Sequence, residues 1–155
     1  MPDEHKGRIE VSSAGISAIS GREATVYAQL VAREEGVDLS GHRATSVLRD
    51  MVDQADLILS MESTHKNVLL SLHPGASKKT YLLKEYASRG VKDSAVREEE
   101  VDHTTLDGSV WGRGVWDIRD PYGGTLQDYR QCRDEIKDSL KKALPRIVEE
   151  LFKND

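Results

Sequence analysis

The stretch DLILSM, residues 56–61, decides the fold class of this chain. It is a short apolar run, which is typical of a strand buried on both faces of a parallel sheet. A second strand is predicted for KTYLL, residues 79–83, and between the two runs Val68, Leu69 and Leu72 recur at helical spacing. This order of strand, helix and strand is an α/β pattern.

Upstream of this unit, the sequence predicts one more strand and two helices. Residues 8–12 (RIEVS) are predicted to form a short strand that leads into a turn of small residues. Ser20 and Glu23 form a capping box, so we expect a helix to begin there and to end at Gly36. Residues 46–55 carry apolar side chains at helical spacing and predict the second helix.

Downstream, the pattern weakens before a long final helix. We interpret residues 84–116, which contain an acidic run and a glycine-rich stretch, as a loop excursion within the domain. A helix is predicted from Leu126 onward, with Pro145 inside it, where a proline should kink or divide a helix. Its apolar stripe comprises Leu126, Tyr129, Cys132, Ile136, Leu140, Ala143, Ile147 and Leu151.

Length and composition bound the class of protein. A length of 155 residues fits one domain, which we take to span residues 1–155. Hydrophobic residues make up 37% and charged residues 32% of the sequence, a composition typical of a globular protein. The net charge of −5 argues against nucleic acid or an anionic membrane as a partner. The single cysteine, Cys132, favours a reducing cytoplasm. The five histidines lack metal-ligand spacing, so no metal is expected.

A second stretch, WDIRDPYGG at residues 116–124, predicts where the chemistry lies. Proline restricts the residue before it to an extended conformation, and the two glycines permit a tight turn. Asp120 is therefore expected on a shaped loop that aims its carboxylate in one direction. Since sites in α/β folds lie at the carboxyl ends of the strands, we expect this loop there, near the turns that follow Ser12 and Met61.

Six segments in register make the chain resemble the low-molecular-weight protein tyrosine phosphatase family. Their order and spacing suit that family over nearly the whole chain, apart from a longer excursion before Asp120. LLKEY together with DPYGG is similar to the bacterial branch that includes protein-arginine phosphatases. The segments are VSSAG (11–15), GVDLSGHRA (36–44), ADLILSM (55–61), THK (64–66), LLKEY (82–86) and DPYGGTLQDYR (120–130).

The resemblance implies a three-layer α/β/α fold with a short parallel sheet of strand order 2-1-3-4, whose first strand this chain does not include. It implies that Asp120 protonates the leaving atom in a reaction that passes through a cysteinyl-phosphate without metal or cofactor. Tyr122 matches an aromatic residue that lines the substrate cleft, or it is a packing aromatic. Ser13 matches a serine that helps keep the thiolate ionised, or it satisfies local backbone groups in a turn.

The family's nucleophile loop, a cysteine and an arginine separated by five residues, is not found in this sequence. Cys132 cannot replace it, because the residue six positions later is Asp138 and a cysteine on an apolar stripe usually acts as a small hydrophobe. Our hypothesis is that Met1 is an internal methionine of a longer gene. The DNA upstream of Met1 tests this, and a nearby stop codon without an in-frame cysteine-x5-arginine pattern would contradict it.

The sequence therefore predicts a cytoplasmic protein phosphatase that acts on phosphotyrosine or phosphoarginine in proteins, or on small aryl phosphates, with this chain inactive alone. One alternative is a non-catalytic module that binds a partner, or that another chain completes by supplying the missing strand. Another, within the family, is an arsenate reductase. That chemistry needs several cysteines for thiol relay, and only Cys132 is present.

Overall fold

The computed structural model describes residues 8–88 and 114–152, and a parallel pair of short strands lies at its centre. Strand β1 (Ile58–Ser60) pairs with β2 (Thr80–Leu82) in the register that places Leu59 opposite Tyr81. Both strands fall inside the runs predicted at residues 56–61 and 79–83, so that prediction is confirmed. A parallel pair requires a crossover connection, and a helix supplies it.

In the described residues, six helical segments accompany the strands. No helix in the described residues combines the length and the apolar character needed to cross a membrane. In chain order the segments are α1 (Val26–Glu34), α2 (Arg49–Gln54), α3 (Ser63–Leu72), a 3-10 helix (Pro74–Lys79), α4 (Leu83–Ser88) and α5 (Leu126–Phe152).

Each face of the sheet has its own hydrophobic core. Because successive side chains of a strand point to opposite faces, Leu59 packs against one core and Ile58 against the other. Helices therefore cover both faces, and the predicted three-layer α/β/α arrangement is confirmed. The buried residues of the first core are Leu83, Tyr86, Ala87, Ile118 and Ala143. Those of the second core are Val52, Leu69 and Ala76.

The strand predicted at residues 8–12 is wrong. Residues 9–14 have no regular structure, and Val11 is 87% exposed. The predicted segment contacts the rest of the described protein through Arg8, whose guanidinium lies 4.4 Å from the centre of the Phe152 ring, and it leads into an isolated parallel bridge between Gly15 and Ser46. A strand persists only when its backbone groups pair with a neighbour, and in the described part of the chain β1 pairs with β2 alone.

The first helix begins later than the capping box predicts. Thr25 is the N-cap of α1, and its hydroxyl accepts a hydrogen bond from the first turn. Ser20 instead exchanges hydrogen bonds with Ser46 at 3.1 Å, and Glu23 forms an ion pair with Arg43 at 3.1 Å. Both residues of the supposed box therefore attach the segment before α1 to the segment before α2.

The predicted excursion at residues 84–116 begins as a helix. Residues 84–88 belong to α4, because Tyr86 and Ala87 bury their side chains in the first core. The remainder of the predicted excursion as far as residue 113, including Trp111, lies outside the described residues.

Pro145 does not divide the final helix, which runs without a break as α5. The proline ring removes one backbone hydrogen bond, but the helix stays packed on both sides of it. Ala143 is fully buried, and Ile147 packs against the same core. Two residues of the predicted apolar stripe are not buried, since Leu140 and Leu151 are each 38% exposed.

Charged side chains join α1 to α5. The carboxylate of Glu34 accepts hydrogen bonds from Arg130 at 2.6 Å and from Arg133 at 2.5 Å. Lys137 forms a further ion pair with Glu35. The hydrogen bonds from the two arginines lower the pKa of Glu34 from 4.5 to about 2. Ionised Glu34 therefore stabilises the contact between the two helices.

We expect Glu34→Gln to lower the unfolding temperature at pH 7. A carboxyl whose pKa is depressed by folding stabilises the protein above its unfolded pKa, and this contribution disappears as pH falls through the folded pKa. The difference between the wild type and Glu34→Gln should therefore shrink between about pH 5 and pH 2. Thermal unfolding followed by circular dichroism at several pH values measures it.

The control is Glu10→Gln, which removes the same charge from an exposed position. It should leave the unfolding temperature unchanged. If the two variants behave alike at pH 7, the ion pairs of Glu34 do not stabilise the contact between α1 and α5.

Candidate functional site

The loop that carries Asp120 lies against the carboxyl end of β1. This segment, residues 114–125, is called the Asp120 loop below. Its Ile118 N–H donates to the carbonyl of Met61 at 2.8 Å, and its Asp120 N–H donates to Oε1 of Glu62 at 3.1 Å. Met61 and Glu62 directly follow β1, which is where sites form in parallel α/β folds.

Ile118 anchors the Asp120 loop in the protein interior. Its side chain is 1% exposed and belongs to the first core, together with Leu83 and Tyr86. Burying a side chain of this size stabilises a fold by roughly 1.5–3 kcal/mol. Two residues of the same loop, Trp116 and Asp120, remain exposed on either side of it. The loop is thus fixed at its centre and open to solvent around it.

The backbone around Asp120 is held by short-range hydrogen bonds. Oδ1 of Asp120 accepts from the N–H of Tyr122 at 2.9 Å, a turn in which the aspartate side chain bridges Pro121. The next turn is closed by Gly124 N–H donating to the carbonyl of Pro121 at 2.9 Å, with Gly123 at a φ of 78°. This conformation favours glycine, and it agrees with the shaped loop predicted from DPYGG.

The end of the Asp120 loop also starts α5. The carboxylate of Asp128 accepts from Thr125 N–H at 2.6 Å and from the Thr125 hydroxyl at 2.7 Å. These hydrogen bonds lower the pKa of Asp128. A side chain at Gly124 would place its Cβ 2.7 Å from this carboxylate, so the close approach of the turn to the helix requires glycine.

Asp117 is a site residue whose contacts the sequence did not reveal. Asp117 lies three residues before Asp120, a position that predicts a solvated loop carboxylate or, as the alternative, a residue that supports Asp120. The structure contradicts the first interpretation. Oδ1 of Asp117 accepts from the backbone N–H of Ser63 at 2.7 Å, and Oδ2 accepts from the Ser63 hydroxyl at 3.0 Å. Because these partners are 54 residues apart in sequence, no local pattern could have identified them.

The structure brings Asp120 and Tyr122 together on one loop, beside Glu62 and Asp117. Tyr122 is 68% exposed, so its ring is open to a ligand. Ser13 lies on the exposed segment before Gly15. Within residues 8–88 and 114–152, no hydrogen bond connects the Ser13 side chain to the Asp120 loop.

The thiol of Cys132 is half-buried beside the Asp120 loop. Burial is the main cause that raises the pKa of this thiol, and the negative charges of Glu135, Asp120 and Glu62 raise it further. Since the thiolate is the nucleophilic form of cysteine, this surrounding keeps Cys132 in its unreactive state at neutral pH. No cluster of three or more metal-binding side chains occurs in the part of the chain that the structure describes.

Comparison with known protein families gives one match over most of the chain. The model of the low molecular weight phosphotyrosine protein phosphatase family matches residues 2–107. A protein-arginine-phosphatase from Geobacillus stearothermophilus is 33% identical over 143 residues, covering 92% of this chain and 77% of the relative. A probable low molecular weight protein-tyrosine-phosphatase, EpsP of Ralstonia nicotianae, is 29% identical and covers 90% and 77%.

Solved structures give the same result. The YwlE arginine phosphatase from Geobacillus stearothermophilus superimposes with a TM-score of 0.74 at 28% identity, covering 98% of this chain and 82% of that structure. A low molecular weight protein tyrosine phosphatase from T. tengcongensis superimposes with a TM-score of 0.66 at 29% identity, covering 87% and 76%.

We expect Ile118→Ala to destabilise the protein by about 2–5 kcal/mol, because it leaves a cavity under the Asp120 loop. Urea unfolding of both proteins measures the difference. The matched control is Ile19→Ala, since Ile19 is 66% exposed, and its effect should stay within about 0.5 kcal/mol. Equal effects of the two substitutions would show that Ile118 does not anchor the loop.

Proposed function

Since the chain belongs to the low molecular weight phosphotyrosine protein phosphatase family, we propose that it carries the general-acid part of a protein phosphatase site. The observation that carries this proposal is the attachment of Asp120 to the carboxyl end of β1. There its carboxylate is exposed, on a backbone fixed by Ile118 and by Glu62. The substrates that suit this site are proteins phosphorylated on tyrosine or arginine, and small aryl phosphates. The single cysteine supports a cytoplasmic location.

Asp120 acts twice in the proposed reaction. In the first step a thiolate attacks phosphorus, the bond to the leaving oxygen or nitrogen breaks, and the carboxyl of Asp120 gives its proton to that leaving atom. In the second step Asp120, now a carboxylate, accepts a proton from the water that attacks the cysteinyl-phosphate, and the thiolate is released. No metal or cofactor takes part. Tyr122 is proposed to contact the substrate, which its exposure permits.

The thiolate of this scheme does not come from the 155 residues of this chain. Cys132 is the single cysteine, and no arginine lies six positions after it. The raised pKa of Cys132 opposes a nucleophilic role. We propose that Ser13 supports the thiolate of the nucleophile loop, and within the described residues no hydrogen bond connects its side chain to the Asp120 loop. We therefore propose that this polypeptide alone does not turn over phosphate esters.

The test supplies the missing nucleophile. The chain alone, assayed with p-nitrophenyl phosphate, should show no turnover. A fusion with an N-terminal segment carrying a cysteine-x5-arginine loop, taken from the Geobacillus stearothermophilus relative, should hydrolyse it. In the fusion, Asp120→Asn should lower kcat about 10²–10⁴-fold because the general acid is lost.

The matched control is Asp138→Asn in the same fusion, since Asp138 is exposed and forms an ion pair with Lys141 on α5 at 3.8 Å. It should leave kcat unchanged. Turnover by the chain alone that Asp120→Asn abolishes would contradict the absence of a nucleophile. Unchanged kcat in the Asp120→Asn fusion would contradict the role of Asp120.

A second function, a binding module completed by a strand from another chain, is favoured by the exposed side of β1. The residues of β1 are only half-buried, whereas Thr80 and Leu82 of β2 are buried. Each parallel strand offers backbone groups on both edges, and in the described residues β1 uses one edge only.

This second function predicts that a peptide can complete the sheet. A synthetic peptide of the Geobacillus stearothermophilus relative, taken from the part that this chain does not match, should bind and raise the unfolding temperature. The same residues in scrambled order are the control. A cooperative unfolding transition with no peptide binding would contradict completion by strand addition.

A further inference from the structure

The carboxylate of Asp117 connects the Asp120 loop to the first turn of α3. It accepts three hydrogen bonds, two of them from Ser63 and one from the backbone N–H of Gly114 at 3.2 Å. Hydrogen bonds to an ionised acceptor are roughly twice as strong as those between neutral groups. The carboxylate is therefore held from both sides, by α3 and by its own loop.

α3 lacks a capping side chain of its own. Its N-cap residue, Glu62, makes no side-chain hydrogen bond to a backbone N–H of the first turn, and that turn contains no acidic residue. The Glu62 carboxylate accepts from the Thr64 hydroxyl at 3.3 Å instead. The first N–H groups of a helix have no partner inside the helix, and a negative charge near them is favourable. Asp117, from a distant part of the chain, supplies the acceptor for the Ser63 N–H and adds its negative charge to that of Glu62 at this helix end.

The Asp117 contact is one of three that join the Asp120 loop to residues 61–63. Asp117 bonds to Ser63, Ile118 to Met61 and Asp120 to Glu62. Met61 and Glu62 accept and Ser63 donates, and these three consecutive residues directly follow β1. These contacts hold the backbone of Asp120 at the carboxyl end of β1, and all of them lie within residues 8–88 and 114–152.

We propose that Asp117 is a positioning residue for Asp120, which it holds in place by binding Ser63. This inference rests on the proposed role of Asp120 as the general acid. A general acid must lie within hydrogen-bonding distance of the atom that it protonates, and a displacement of about 1 Å can lower the rate on the order of 10²-fold. Asp117 lies three positions before Asp120, so its bonds to Ser63 limit such a displacement of Asp120.

The first test uses the full chain and does not depend on turnover. Amide hydrogen exchange followed by NMR should show that Asp117→Ala speeds exchange at Ile118 and Asp120 by about tenfold, as expected from lost charge-assisted hydrogen bonds. The amides of Val52 and Leu69, in the second core, should be unchanged.

Two milder variants keep the test valid if Asp117→Ala folds poorly. Ser63→Ala removes one donor and keeps the backbone N–H, so it should accelerate exchange less than Asp117→Ala. Asp117→Asn keeps the shape of the side chain but leaves one acceptor oxygen, so its effect should be intermediate. Asp138→Ala, on the exposed face of α5, is the control and should have no effect. Unchanged exchange at Ile118 and Asp120 in all Asp117 and Ser63 variants would overturn the proposal.

The second test distinguishes positioning from a general structural role. In the active fusion described above, Asp117→Ala should lower kcat but should cause no further loss when Asp120 is already Asn, because Asp117 acts through Asp120. Additive losses in kcat would overturn the proposal. A different result would separate the two proposals. If Asp117→Ala speeds exchange at Asp120 but Asp120→Asn does not change turnover, the proposed function is contradicted, whereas the contact between Asp117 and Ser63 is supported.

Discussion

The parallel pairing of β1 with β2 is the constraint on which the rest of the structure depends. Three residues from each strand suffice to define two faces, because neighbouring side chains such as Ile58 and Leu59 point to opposite cores. The pairing also sets the direction of both strands, so that Met61 and Leu83 emerge at the same end of the sheet. The helices α3 and α4 begin there, and the Asp120 loop is attached to the same end.

The candidate site is built by hydrogen bonds between the Asp120 loop and residues 61–63, several of them made by the side chains of Glu62 and Asp117. Main-chain groups of Met61 and Ser63 fix the Asp120 loop, and Ile118 places one large side chain under it. The carboxylate of Asp120 is left exposed. The residues that hold the loop are thus different from the residues that can contact a ligand. Such an open arrangement suits a site that binds a side chain on the surface of another protein.

The sequence was sufficient where a pattern depends on local spacing. The two strands, the long helix and the turn at DPYGG follow from apolar runs, helical repeats and glycine at positive φ. It failed where an outcome depends on a distant partner. Residues 8–12 have strand propensity but pair with no strand among the residues that the structure describes. The residues of the capping box, Ser20 and Glu23, instead contact the segment before α2. The same limit hid Asp117, whose partner is 54 residues away.

The surroundings of Cys132 also determine how this polypeptide responds to oxidants. Oxidation to sulfenic acid proceeds through the thiolate and requires access to it. Burial and three nearby carboxylates keep this sulfur protonated, so peroxide should react with it slowly at neutral pH. Enzymes that use a cysteinyl-phosphate depend on a reactive thiolate and share its sensitivity to peroxide. In the 155-residue chain the one thiol is shielded from this reaction.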